Sequence, residues 1–200
     1  AKTNFTSRIS HEIRSPLNAI IGYMSLMKLE EKTANAQVYL NKAEAAGQQL
    51  LSLLNDVLDM SRIESGKIQI SKNEFNIEDV VETLSTLFNN QAKLAGLEFA
   101  VCMENISNKK LFGDQLRLTQ ILTNLLSNAI KFTPQGGKVQ FSIKEEQKHD
   151  NIIYLQFSVK DTGIGIEDNF LKKIFSPYER QTIQNNSKIL GTGLGLAITK

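Results

Sequence analysis

The sequence predicts an α+β chain in two parts, an N-terminal helical hairpin followed by an α/β sandwich. Three observations carry this expectation. Apolar residues recur every three or four positions from Phe5 to Met27, and again from Leu40 to Val57, which is the period of one helix face. Residues Lys138–Glu145 and Ile152–Lys160 alternate or run apolar, as the strands of a half-buried sheet do. Between these regimes Gly66 is placed to cap a helix C-terminus, and the chain changes character from Lys67 onward. The predicted domains are therefore 1–66 and 67–200.

The elements follow in order. The first helix runs from Asn4 to about Glu30, with Phe5, Ile9, Ile13, Leu17, Ile20 and Met24 along one stripe. At about 1.5 Å per residue it is roughly 40 Å long. Pro16 cannot donate to the carbonyl of Glu12, so a bend is predicted just past His11. The polar run Lys28–Asn35 turns the chain, and a second helix carries Leu40, Ala43, Gly47, Leu50, Leu54 and Val57. Two amphipathic helices cannot bury their stripes alone, so a homodimer closing a four-helix bundle is expected. Ile68-Gln69-Ile70 alternates and reads as a short strand. Asn76 with Asp79 forms a capping-box pattern that opens a helix to about Ala95. Leu97–Met103 and Leu111–Phe112 read as strands, and Asp114 caps a helix through Phe132. Pro134-Gln135-Gly136-Gly137 is a turn, and Gln147–Asn151 is a hairpin tip.

Composition narrows the classes. A chain of 200 residues with 41% hydrophobic content supports real cores. A formal charge of +2 is too small to argue for nucleic acid as a partner. The single cysteine, Cys102, excludes an internal disulfide and fits a reducing, cytoplasmic compartment. Placed in a strand, it reads as a small core residue. No run of 18 apolar residues and no signal peptide is present, so membrane attachment would come only from segments outside this sequence.

Five stretches carry chemistry. Ser10-His11-Glu12-Ile13-Arg14-Ser15-Pro16-Leu17 holds one of the two histidines. A neutral imidazole, with an ordinary pKa of about 6.5, offers a lone pair near pH 7. Glu12 could orient the ring and take its proton. Asn124 and Asn128 are four apart and share a helix face, where their amide oxygens suit a hydrated Mg²⁺. Lys131, three further on, could reach a phosphate as a point charge. Asp161-Thr162-Gly163-Ile164-Gly165-Ile166 follows a strand and offers a carboxylate to an exocyclic amine such as adenine's. Gly191-Thr192-Gly193-Leu194-Gly195-Leu196 reads as opening a helix toward phosphates. It lacks the Gly-Lys-Ser/Thr of a Walker A motif and the βαβ setting of a dinucleotide fingerprint. Ile174–Arg180 and the polar stretch to Ile189 have the length and composition of a lid. Each stretch alone also fits a bland role: a solvated His-Glu surface, a capping Asn pair, an ordinary Asp-x-Gly turn. His149, between Lys148 and Asp150, reads as a solvated loop residue.

Taken in order, these motifs give the chain a resemblance to the transmitter core of the sensor histidine kinases of two-component systems, across essentially its whole length. Phe5–Leu17 resembles the family's H box, Asn124–Phe132 its N box, Asp161–Ile166 and Gly191–Leu196 its two glycine boxes, and Phe175–Tyr178 its F box. The resemblance implies a dimeric hairpin that carries the phosphorylated histidine and an ATP-binding domain of the Bergerat type, shared with gyrase-like ATPases. It implies autophosphorylation from ATP with Mg²⁺ and transfer to an aspartate of a response-regulator receiver domain. On this reading His11 is the phosphoacceptor, Glu12 its acid/base neighbour, and Ser15 a residue linked to reverse dephosphorylation. Asn128 and Asn124 would hold the metal and Lys131 the phosphates. Asp161 would recognise adenine beside Gly163 and Gly165. Gly191, Thr192, Gly193, Leu194, Gly195 and Leu196 would border the phosphates, with Tyr178 and Arg180 in the lid.

There are departures. Ser15 stands where the family often has Thr or Asn, and Tyr178 where Phe is more frequent. The family pattern continues beyond Lys200 with further helix and strands, so the C-terminal part of the ATP-binding domain is expected to be missing. A gyrase-like ATPase is the competing enzyme, but such enzymes place a Glu where Asn124 stands and lack the preceding hairpin. A non-enzymatic dimer scaffold is the other alternative.

Overall fold

The structure, a computed structural model, describes residues 2–29, 33–149, 152–179 and 193–200. The chain divides into two compact units that part between Ile68 and Gln69, with Gly193 and Leu194 grouped with the first and Gly195–Lys200 with the second.

The first unit is a hairpin of two long helices, α1 (Lys2–Leu29) and α2 (Thr33–Glu64). α1 runs through Pro16 as an unbroken helix, and Pro16 is buried. One missing backbone hydrogen bond does not end a helix held along its length by a packed partner. Tyr23 and Tyr39 tie the helices near their connection, with ring centroids 6.3 Å apart, and the Lys42 ammonium lies 5.7 Å from the Tyr23 centroid. α2 ends as Gly66 predicts. Gly66 adopts φ +64°, its N–H donates to Ile63 O, and Lys67 N–H donates to Arg62 O. Those bonds satisfy carbonyls that the helix end leaves open. Ala46, Leu53 and Met60 are buried, while Ile21, Leu51 and Leu58 each expose more than half of their surface. The hairpin thus keeps an uncovered apolar stripe.

The second unit is a two-layer sandwich. A three-stranded sheet is ordered β2 (Glu98–Glu104), β4 (Lys138–His149), β5 (Ile152–Asp161), with β2 parallel and β5 antiparallel to β4. A small ribbon pairs β1 (Asn73–Asn76) with β3 (Lys110–Gly113). Two helices cover one face of the larger sheet, α3 (Ile77–Ala95) and α4 (Gln115–Phe132). Period-2 burial of Val139, Phe141 and Ile143 on β4 meets Val80, Leu84 and Phe88 of α3 and Leu122 and Leu126 of α4. α3 starts where Asn76 accepts a hydrogen bond from Glu78 N–H and stops at Gly96, φ +69°. Two short helices follow the sheet, α5 (Asp168–Leu171) and α6 (Gly195–Thr199). Among the described residues no helix is long and apolar enough to cross a membrane.

Three local expectations are corrected. Ile68-Gln69-Ile70 forms no strand, because no neighbour offers it a ladder; pairing starts at Asn73, opposite Gly113. β4 continues past Gln147 to His149, which pairs with Ile152, so only 150 and 151 remain for the tip and lie outside the described residues. A register shift between Glu145 and Gln147 absorbs the irregularity, and the polar run beyond the core hides the strand from a hydrophobicity pattern. His149 is therefore a strand-end residue. Cys102 is no core residue: it sits partly exposed on β2, the sheet edge, and its thiol faces Glu104 Oε1 at 3.5 Å. That carboxylate raises the thiol pKa above its usual value.

Asp114 joins two parts of this unit. Its Oδ1 accepts from Arg117 N–H at 3.0 Å, capping α4, and its Oδ2 accepts from Ser71 N–H at 2.9 Å. These bonds, Arg117 first, hold its carboxyl pKa below 3.8. A depressed folded-state pKa gives stability that is present above the ordinary pKa and lost as pH falls through the folded value. Asp114→Ala should lower unfolding free energy by about 1 kcal/mol at pH 7, the usual worth of such a cap. In denaturant titrations the gap to wild type should narrow at pH values below 3.8.

Candidate functional site

α4 is the wall on which the site-bearing stretches of the second unit meet. Asn124 and Asn128 lie one turn apart on it, and both are half-buried. The Asn124 side-chain amide donates to Gly195 O at 3.2 Å, which fastens the start of α6 against the middle of α4. A Cβ built on Gly195 would stand 3.5 Å from Asn124 Oδ1, so the backbone approaches this side chain closely. Lys131, in the last turn, is partly buried, and its ammonium lies 5.2 Å from the Phe132 ring centroid. Burial pushes its pKa down, because the charged form gives up hydration.

The second stretch joins α4 at its C-terminal end. Asp161 closes β5 and is exposed, and its Oδ1 accepts from Gly163 N–H at 2.8 Å. Ile164 N–H donates to Phe132 O at 3.2 Å. A Cβ at Gly163 would lie 2.6 Å from both Phe132 O and Asp161 Oδ1, so only glycine lets the loop come this near the helix. Gly165 and Gly193 adopt φ +70° and +67°, conformations that suit glycine. Tyr178 adopts φ +67°, which is strained for an aromatic residue, and its side chain is half-buried. Leu194 is buried and Leu196 half-buried. Arg180, Gly191 and Thr192 lie outside the described residues, as does most of the expected lid.

The motif around His11 belongs to the other unit. His11 is on α1, and its side chain is not among those described. Glu12 is half-buried and Ser15 exposed. The structure thus brings Asn124, Asn128, Lys131, Asp161, Gly163 and Gly195 onto or against one helix, and carries His11, Glu12 and Ser15 on a separate one. Sequence reasoning missed the carbonyl of Phe132 as the anchor of the Asp161 loop. Its only trace in the sequence is Gly163, whose missing side chain marks a close backbone approach without naming the partner.

Residues 1–66 match the family model described as His Kinase A (phospho-acceptor) domain, and residues 113–200 match Histidine kinase-, DNA gyrase B-, and HSP90-like ATPase. The sensor histidine kinase GacS of Pseudomonas protegens is 38% identical over 199 residues, spanning 100% of this chain and 22% of GacS. The chain spans less than a quarter of the length of the curated relatives it matches. Among solved structures, full-length ShkA in complex with AMPPNP is 31% identical with a TM-score of 0.65, covering 96% of this chain and 38% of ShkA. The histidine kinase ThkA in complex with the response regulator protein TrrA is 25% identical with a TM-score of 0.58, covering 88% of this chain and 50% of that one. A phospho-acceptor hairpin ahead of an ATPase fold is the order of a sensor histidine kinase transmitter core, and the chain belongs to that family.

Proposed function

We propose that this chain moves the γ-phosphoryl group of ATP onto His11 and passes it to an aspartate of a response-regulator receiver domain. The observation that carries this reading is the convergence on α4: Asn124 fastens Gly195 at mid-helix, and Phe132 fastens the Asp161 loop at its end. One surface then offers a carboxylate for adenine's amine, amide oxygens for a metal and an ammonium for phosphate. The ATPase family model over 113–200 and the AMPPNP complex of a relative support a nucleotide there.

Domain roles follow the same lines, with 1–66 as the phosphotransfer hairpin and 67–200 as the catalytic ATP-binding domain. The donor set fits Mg²⁺: Asn124 and Asn128 present neutral amide oxygens on one face, leaving coordination sites for water and phosphate. When bound there, the ion neutralises phosphate charge. Gly163, Gly165, Gly193 and Gly195 give backbone room around the nucleotide, Leu194 and Leu196 brace α6, and Gly191, Thr192, Tyr178 and Arg180 belong to its covering segment.

Phosphoryl transfer asks for alignment and charge neutralisation more than for covalent machinery. An imidazole nitrogen of His11 attacks the γ-phosphorus with its lone pair. The N–P bond forms as the bond from phosphorus to the β–γ bridging oxygen breaks, and ADP leaves. The ring, now cationic, sheds the proton on its other nitrogen to Glu12. A receiver carboxylate then attacks the same phosphorus, and the N–P bond breaks as Glu12 returns the proton to the ring, which regenerates neutral His11. Ser15, one turn from His11 and exposed, keeps a hydroxyl that suits positioning water for reverse dephosphorylation. The exposed stripe with Ile21, Leu51 and Leu58 supports a homodimer through the hairpin, and the ThkA–TrrA complex supports a response regulator as partner. The proposed location of these domains is the cytoplasm, with any membrane attachment outside this chain, and nucleic acid has no part in the reading.

Incubation with γ-labelled ATP and Mg²⁺ tests the proposal. Label that is acid-labile, alkali-stable and absent in His11→Gln is the expected result; label that persists in His11→Gln would contradict it. Lys131 gives a second test. Burial disfavours its charged form, so an apolar side chain of similar length is expected to cost the nucleotide-free fold little. Lys131→Met should keep or raise the melting temperature while weakening ATP binding roughly tenfold by calorimetry, the size of one lost charge-assisted contact.

A further inference from the structure

The ladder between β4 and β5 ends in an unusual way. Val139 and Asp161 are its last regular pair. At the next position Thr162 N–H donates to Lys138 O at 3.0 Å, as an antiparallel pair requires. The return bond, however, does not use the Thr162 carbonyl. Lys138 N–H donates instead to the Thr162 hydroxyl at 2.9 Å. The side chain thus stands in for the backbone acceptor, and the chain is free to turn away at Gly163 toward Phe132 O.

This substitution grips the β5 end on the residue after Asp161, while Asp161 Oδ1 accepts from Gly163 N–H. The carboxylate is held by the turn at 163, and the backbone that carries it is fixed by the pair at 138–162. The other strand of the clamp is itself fixed. Glu98 N–H donates to Gly137 O at 2.9 Å, tying the start of β4 to β2, and Gly136 N–H donates to Gly96 O at 2.8 Å. A Cβ at Gly137 would fall 2.9 Å from the Thr162 hydroxyl and collide with Thr133 Cγ2, so the turn leaves space for that hydroxyl by having no side chain.

We propose that Thr162 is a positioning residue for adenine recognition: its hydroxyl closes the β4–β5 ladder at Lys138 N–H and so sets where the Asp161 carboxylate meets the base. The inference rests on Asp161 being the adenine acceptor. Its distinct content is that selectivity for the 6-amino group depends on a hydroxyl that does not touch the nucleotide.

Dissociation constants of ATP and ITP, measured by calorimetry on the full chain with Mg²⁺, test this for wild type, Thr162→Val and Thr162→Ser. ITP carries a 6-oxo group in place of the 6-amino donor, so the ITP/ATP ratio reports the contact of Asp161 with that amine. Thr162→Val should raise the ATP constant roughly three- to tenfold, the span of one net hydrogen bond, and leave that for ITP within about twofold. Thr162→Ser keeps the acceptor and should restore the wild-type ratio. Should the valine variant fail to fold, Thr162→Ala takes its place with the same expectation. A valine variant with the wild-type ratio, or a serine variant as defective as valine, overturns the role of Thr162 and leaves Asp161 untouched. A wild type that binds ATP and ITP alike overturns the adenine reading itself, and the positioning role with it.

Discussion

The close approach of Gly163 to the carbonyl end of α4 is the constraint on which the rest of the second unit's site depends. A helix C-terminus leaves carbonyls without intrahelical partners, and here Phe132 O is satisfied by Ile164 N–H from a loop 32 positions on. That one bond places the strand-end carboxylate of Asp161 beside the helix that carries Asn124, Asn128 and Lys131. The bond exists only because residue 163 has no Cβ. The same logic recurs at mid-helix, where Asn124 holds Gly195 O. Backbone carbonyls and glycines build much of the frame, and the Asn124 side chain completes it at Gly195 O.

The hairpin obeys a different economy. Its helices span 28 and 32 residues, so each has a long stripe. Apolar side chains such as Ile21 and Leu58 stay more than half exposed, and a partner copy is the natural way to cover them. The two units therefore divide the work by their physics. One is a helical hairpin that carries His11; the other is a packed sandwich that gathers the candidate site along α4.

Much of this was legible in the sequence because local rules and tertiary structure agree. Helix caps at Asn76 and Asp114, the turn at Gly136 and the stop at Gly66 all act within a few residues, and each is where its local signal puts it. The failures have equally physical causes. Ile68-Gln69-Ile70 alternates like a strand, yet alternation supplies no ladder partner. The end of β4 is a polar run in the sequence, so hydrophobicity does not mark the strand that pairs there. Cys102 reads as core because it lies in a strand, but an edge strand offers partial cover only. At the site, side chains with chemistry announced themselves, whereas the Phe132 carbonyl is backbone geometry, and the Thr162 hydroxyl does not name the distant Lys138 N–H it accepts from. The roles of individual site residues rest on their motifs together with this frame.

The central claim is that one helix gathers the nucleotide site from distant stretches of chain. Amide hydrogen exchange of the full chain, with and without AMPPNP and Mg²⁺, addresses it most directly. The account predicts that nucleotide slows exchange together at 124–132, 161–165 and 193–199. Protection confined to one of these stretches, with the others unchanged, would contradict it.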